Sequence, residues 1–288
     1  MTNSIAKHLA PKDFATQVRM ERKRHNGAFL LMEGSTDFRR FKKFMLEEKC
    51  SIIVCYGKEN VKGTLEIIQN EGHEDCLGFI DVDFDKVDGT HAIEESILCS
   101  NNHDFDLDIC ATDVIRRYLE EVGDDEKMRA AGGPNKFVND LLLSLKPLSA
   151  FRYANIKQCW RYKFKEIQME SFFDGHTIDV QSMLDQVFRN RNVSQATRDN
   201  VVSMIAHFMG VDFDLWQFTN GHDFIEALGI ALRDRVGRRN RPQTWRSEVE
   251  AHLRLAIDRA DFEATGIPAR IRDWSRNNVG LEVVRPVS

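Results

Sequence analysis

The six cysteines, Cys50, Cys55, Cys76, Cys99, Cys110 and Cys159, form no Cys-x-x-Cys pair. That absence removes the usual zinc and dithiol redox patterns. No stretch approaches the roughly 18–20 apolar residues of a membrane span. Met1 to Pro11 holds one lysine and no sustained apolar core, which makes a poor signal peptide. The expectation is a cytoplasmic protein with no membrane association and with reduced, mostly buried thiols. No charge sign dominates either: the net charge is −5, so a nucleic-acid partner has to be met by local basic patches. Internal repeats and low-complexity tracts are also missing.

What is present describes an ordinary globular chain, with 42% hydrophobic and 30% charged residues over 288 positions. That length suits one large domain or two modest ones. Residues 11–26 read as a helix with a basic face, stopped by Asn26-Gly27. Ala28 to Met32 is a short apolar strand, and Phe38 to Glu48 has helical spacing of Phe38, Phe41, Phe44 and Met45. Ser51 to Tyr56 is strand-like, residues 61–70 are helical, and Leu77-Gly78-Phe79-Ile80 is a buried strand. Ser96 to Cys99 follows as another strand, then a helix carrying Ile109, Val114, Ile115, Tyr118 and Leu119. Such alternation implies a parallel sheet with helical crossovers, an α/β fold.

Beyond about residue 125 the texture changes. Ala130-Ala131-Gly132-Gly133-Pro134 is the best linker, dividing a domain of residues 1–130 from a mostly helical one of residues 131–288. Helical patterns cover 135–145, 178–189, 194–209, 222–236 and 244–260. A strand is expected around Phe151 to Ile156, and 264–288, with Gly266, Pro268, Gly280 and Pro286, reads as irregular.

The chemistry is expected where the strands end. In parallel sheets ligands bind beyond the carboxyl ends of the strands, which places Glu33, Lys58, Asp81/Asp83/Asp85 and Asp106/Asp108 at one edge. Extended alternation aligns Asp81, Asp83 and Asp85, and clustered carboxylates call for a hard cation such as magnesium, which needs only one or two of them. Asp81 and Asp83 are the strongest candidates. Glu33 follows its strand directly, with Ser35, Thr36 or Asp37 available to cap the next helix. Asp104, Asp106 and Asp108 form a second acidic run, of which Asp106 and Asp108 are favoured as supplementary ligands, whether that run is extended or already helical. His103 beside it reads as a histidine at the surface or behind the ligands rather than a catalyst. Gly57-Lys58 lacks the remaining glycine and Ser/Thr of a P-loop, so a nucleoside triphosphatase is not supported; Lys58 reads either as a solvated loop lysine or as a group that meets a phosphate at the helix start near Asn60.

Basic residues interleave with aromatics at Lys157, Trp160, Arg161, Tyr162, Lys163, Phe164 and Lys165. Arg233, Arg235, Arg238, Arg239, Arg241 and Arg246 follow later. Cations neutralise backbone phosphates and aromatics stack on unpaired bases, so Lys163, Arg238 and Arg239, with Lys58, are the candidate substrate contacts. The same patterns also suit a half-buried strand and a solvated face. Asn220-Gly221-His222-Asp223 precedes an apolar helix, and His222 and Asp223 read as its cap or as groups reaching the metal site.

Glu33-Gly34-x-x-Asp37 after one strand and Asp81-x-Asp83 after a later one resemble the Toprim signature. With Tyr56-Gly57-Lys58-Glu59-Asn60-Val61 between them and Asn220-Gly221-His222-Asp223 later, the string is similar to a narrower Toprim-like family that includes the nuclease subunit of the PARIS anti-phage system. The resemblance covers roughly residues 28–120 and, more loosely, 215–232. It departs from the family where one acidic residue is expected after the last strand and three stand here. The resemblance implies a Toprim-like parallel sheet flanked by helices and a nuclease using Mg2+ or Mn2+, with Asp81 and Asp83 holding the ion and Glu33 acting as general base or ligand. It further implies a defence effector that cleaves tRNA or DNA and is held inactive by an ABC-type ATPase; homodimerisation through the helical half is expected from its many apolar helices. A non-catalytic binding module is the alternative. A phosphatase of the haloacid dehalogenase type fits less well, because Asp85 stands where that family places Thr or Val.

Overall fold

The computed structural model describes residues 8–91, 94–238 and 246–286. In chain order the elements are α1 (Pro11–Glu21), β1 (Ala28–Met32), α2 (Ser35–Phe41), β2 (Cys50–Val54), α3 (Lys58–Asn70), β3 (Cys76–Ile80), β4 (Ile97–Cys99), α4 (Phe105–Cys110) and α5 (Asp113–Val122). There follow α6 (Asp125–Ala130), α7 (Pro134–Ser144), α8 (Lys146–Lys157), α9 (Val180–Phe188), α10 (Gln195–Met209), α11 (Leu215–Phe218), α12 (Gly221–Ala231), α13 (Arg246–Ala256), α14 (Arg259–Ala264) and α15 (Ile267–Asn278). The fold is α/β: a parallel four-stranded sheet flanked by helices, with a helical C-terminal region.

The chain forms two compact units that interleave along the sequence. The first comprises residues up to Val82, Thr90–Asn101 and Asp258 onward; the second comprises Asp83–Gly89 and Asn102–Ile257. The Gly132-Gly133-Pro134 segment lies within the second, joining α6 to α7 with Gly133 as N-cap.

In the first unit the strand order is β2-β1-β3-β4, every pair parallel. The register sets Met32 beside both Val54 and Phe79, and Ile80 beside Cys99. Every residue of β1 and β3 is buried, as continuous apolar runs in a covered parallel sheet demand. Helix α3 lies tight on β3 at Gly78, where a Cβ would come within 2.7 Å of Leu65 and 2.9 Å of Val61. The C-terminal helices return to this sheet. Arg270 Nη2 donates to the Cys99 carbonyl (2.8 Å), Asn101 Nδ2 to that of Thr265 (2.6 Å), and Phe262 stacks on Phe44 at 4.5 Å between centroids. Within the 264–288 segment, Ile267–Asn278 is helical rather than irregular. Gly266 and Pro268 start α15, with Gly266 in the left-handed region at the N-cap and Pro268 in the first turn.

The second unit is helical around one apolar core, which includes Phe151, Phe188, Phe218, Phe224 and Leu228. The strand expected at Phe151 to Ile156 is instead part of α8. Burial of Phe151, Tyr153 and Ala154 gives that helix a wide apolar surface, which explains its β-like composition. The helix expected around residues 109–119 is broken in two, because Thr112 accepts the Val114 amide and starts α5 anew. Five cysteines are buried, while Cys159 is exposed. Burial pushes the Cys50, Cys55 and Cys76 thiols up to about 12, so they are packing groups rather than nucleophiles. Among the described residues no helix is long and apolar enough to cross a membrane.

Candidate active site

In the first unit, Glu33 follows β1, Asp81 follows β3 and Ser100 follows β4, while Lys58 comes four residues after β2. The parallel register brings these strand ends level. Glu33 Oε1 accepts the Asp81 amide at 2.9 Å, tying the ends of the two central strands together. Ser100 Oγ accepts the Val82 amide at 2.9 Å and fixes the same turn from the other side. Glu33, Lys58 and Asp81 are all half-buried, as suits groups that meet a ligand from solvent. Lys58 is the first residue of α3, two positions earlier than the sequence suggests, because Gly57 is the N-cap and Asn60 Nδ2 instead donates to the Cys55 carbonyl (2.8 Å). No side chain caps α2; Gly34 is its N-cap, and Asp37 sits in the first turn beside the buried Arg40.

Regular alternation does not continue through the aspartates. β3 ends at Ile80, and Asp83 has φ 53°, a left-handed value that aspartate tolerates better than most residues. Tyr56, just before Gly57-Lys58, has φ 56°. Each such residue costs about 1–3 kcal/mol, and backbone strain of this kind collects at functional sites.

In the second unit the Asp83 amide donates to the His103 carbonyl at 2.8 Å. Asp83 also lines a cavity of about 420 Å³ with Phe84, Asp85, Asp88, His103 and Arg152. His103 is 2% exposed, not a surface residue. Its Nδ1 meets the Gln217 carbonyl at 3.2 Å, and since a carbonyl only accepts, Nδ1 carries the proton. Burial lowers the pKa of this imidazole, against the opposing charge of Asp83. Asp88 accepts from Tyr153 Oη (2.5 Å) and Lys157 Nζ (2.8 Å). Burial acts to raise that carboxyl, but these two partners outweigh it and hold it below the usual range.

The second acidic run is helical and buried, and α4 carries it past the end of β4. Asp104 is the N-cap, accepting the Leu107 amide (3.0 Å) and the Gly221 amide (2.6 Å). Asp106 Oδ2 meets His222 Nδ1 at 3.0 Å, and Asp108 Oδ1 accepts the Asn102 amide at 2.7 Å. Gly221 is required by this closeness, since a Cβ would collide with the Asp104 carboxylate and come within 2.5 Å of Asp106 Cβ. Asn220, rather than His222 or Asp223, caps α12. His222 has its pKa raised by the hydrogen bond with Asp106, against partial desolvation. Among the described residues, no group of three or more His, Cys, Asp and Glu is placed so that it could hold a metal ion.

Asp104 carries a pH prediction. Burial, with the Asp106 charge beside it, pushes its carboxyl up to about 7, although the two backbone amides pull the other way. A folded-state value above that of the unfolded chain gives stability that is full in acid and lost as pH rises through about 7. Asp104→Asn, neutral with one acceptor oxygen, is expected to flatten the decline. Urea unfolding of wild type and variant at pH 5 and pH 7.5 checks this, and equal pH dependence in both would refute it.

Of the expected substrate contacts, Lys163 is exposed in the loop after α8, and Arg238 Nη2 donates to the Glu120 carbonyl (3.2 Å) and approaches Asp125 (3.4 Å). Arg239 and Arg241 lie outside the described residues. Sequence reasoning missed Arg152, which grips Asp223 through Nε (2.5 Å) and Nη2 (2.7 Å). Its only sequence signal was a lone cation in an aromatic stretch. No family model matches the chain, and no curated protein matches it.

Proposed function

We propose that the chain is a metal-dependent nuclease of Toprim-like type, cutting phosphodiester bonds of tRNA or DNA, and acting in the cytoplasm as a defence effector under the control of an ABC-type ATPase. The observation that carries this reading is the Glu33–Asp81 bond. It joins the acidic ends of two adjacent parallel strands, the two halves of the motif the sequence presents.

Carboxylate oxygens are the donors that Mg2+ and Mn2+ prefer, and magnesium keeps several waters and takes one or two carboxylates directly. Glu33 and Asp81 meet that number, with Asp83 next along the chain. Asp106 orients His222 and Asp108 tethers the Asn102 amide, so this reading leaves those two out of the ligand set. A bound cation would supply Lewis-acid stabilisation of the charge that builds on phosphoryl oxygens. Lys58, at the start of α3, meets a phosphate oxygen where the helix dipole also favours negative charge. Glu33 serves as ligand or as the base that takes a proton from water.

A second reading, a binding module without turnover, is favoured by the lack of a three-residue metal cluster among the described residues. Incubating the chain with tRNA, plasmid and single-stranded DNA, with Mg2+, with Mn2+ and with EDTA, separates the two. Metal-dependent cutting of any of the three supports the nuclease. Binding without cutting, in the presence of the ATPase partner as well as alone, supports the module. Light scattering during the active incubation tests the homodimer.

A further inference from the structure

We infer that the loop after α8, together with the end of α9, is a single-stranded nucleic-acid docking ridge. The inference rests on the nucleic-acid reading above and names the form of strand held. From Trp160 to Lys165 the chain alternates: Trp160, Tyr162 and Phe164 turn inward to the core, while Arg161, Lys163 and Lys165 are exposed. Arg189 and Arg191, just past the end of α9, are exposed as well. Arg191 joins the two segments, donating from Nη2 to the Arg161 carbonyl (3.0 Å) with its guanidinium 5.1 Å from the Tyr162 ring centre.

The loop is held rather than loose. Asn155 brackets Tyr162, accepting its amide at 2.8 Å and donating to its carbonyl at 3.2 Å, and Tyr162 packs edge-on against Phe188 at 4.9 Å. Cys159 and Arg161 both have positive φ, at 52° and 61°. Of the four non-glycine residues with that geometry among those described, the other two are Tyr56 and Asp83, beside the candidate site. Strained backbone kept by tight packing is a mark of a functional segment.

Half-buried arginines elsewhere in the same unit have carboxylate partners, Arg116 with Asp113 and Glu120, Arg198 with Asp185 and Arg233 with Glu170, while the exposed Arg235 donates to the Gly175 carbonyl. Arg161, Lys163, Lys165, Arg189 and Arg191 have no carboxylate at ion-pair distance among the described residues. Five exposed cations without ion-pair partners, on two segments joined by Arg191 and beside the half-buried Trp160, suit a strand that offers phosphates and an unpaired base to stack. A duplex offers the phosphates but keeps its bases stacked inside.

The test uses the full chain in EDTA, so that binding is read without cleavage. The anisotropy of a labelled single-stranded oligonucleotide is titrated at several salt concentrations. Arg161→Ala/Lys163→Ala/Lys165→Ala is expected to reduce the slope of log K against log salt by about 2, three phosphate contacts at ~0.7 each. The control Lys12→Ala/Lys23→Ala/Arg24→Ala, on and beside α1, is expected to leave it unchanged. If the triple variant fails to fold, Lys163→Ala alone is read for a slope change of about 0.7. An unchanged slope, or no oligonucleotide binding by wild type, overturns the ridge. Poly-glutamate of equal charge displacing the oligonucleotide equally well makes it a general anion surface and overturns the nucleic-acid assignment. A ridge-dependent duplex bound as tightly overturns the single-strand assignment. Ridge-dependent binding with no metal-dependent cutting leaves the ridge standing and removes the nuclease reading instead.

Discussion

Glu33→Gln is expected to lower metal-dependent cleavage by about 10²–10⁴-fold, the range typical for loss of a catalytic acid or base. Its amide oxygen still accepts the Asp81 amide, which Glu33 Oε1 now accepts at 2.9 Å, so the strand ends stay joined. What disappears is the negative charge and the capacity to take a proton. Stability is therefore expected to change by less than about 0.5 kcal/mol, whereas Glu33→Ala, which also removes the acceptor, costs about 1 kcal/mol more. Cleavage rates and thermal unfolding of the three proteins check this. Full activity in Glu33→Gln would mean that the carboxylate serves the strand junction only.

Arg152→Ala is expected to have the largest effect on stability. Asp223 has a side chain only 6% exposed, and both its oxygens are gripped by one guanidinium, itself 23% exposed and 4.7 Å from the Phe164 ring centre. Removing the cation leaves a buried carboxylate without its partner, at a cost of about 3–5 kcal/mol. The double replacement Arg152→Leu/Asp223→Leu removes both charges and is expected to recover most of that loss. Chemical denaturation of the three proteins measures the coupling. A double variant no more stable than Arg152→Ala would contradict it.

The sheet was legible because its central strands are continuous apolar runs closed by polar residues. Ala28 to Met32 and Leu77 to Ile80 read as strands for the reason that both their faces are covered. The helical stretches from 178 to 209 were legible through their periodicity, and Asp179 and Ser194 cap them in the structure. Pro268, counted toward an irregular tail, lies in the first turn of α15, where a missing amide costs nothing.

At the candidate site, the positions of Glu33, Lys58 and Asp81 follow from strand ends alone, and local sequence suffices to place them. The state of Asp104, Asp106 and Asp108 was open between extended and helical forms. It depended on the Gly221 amide and on His222, more than a hundred residues away, and no local pattern reports such partners. Arg152 was hidden likewise, because its meaning lies in Asp223.

The most direct test of the central claim, that the carboxylates at the ends of β1 and β3 take a divalent cation, is Mn2+ uptake followed by loss of the free-ion electron paramagnetic resonance signal. Wild type is expected to bind Mn2+, and Glu33→Gln and Asp81→Asn each to weaken that binding by about tenfold or more, roughly 1.4 kcal/mol. A wild-type protein that leaves the free-ion signal untouched, or variants that bind as tightly as wild type, would contradict the account.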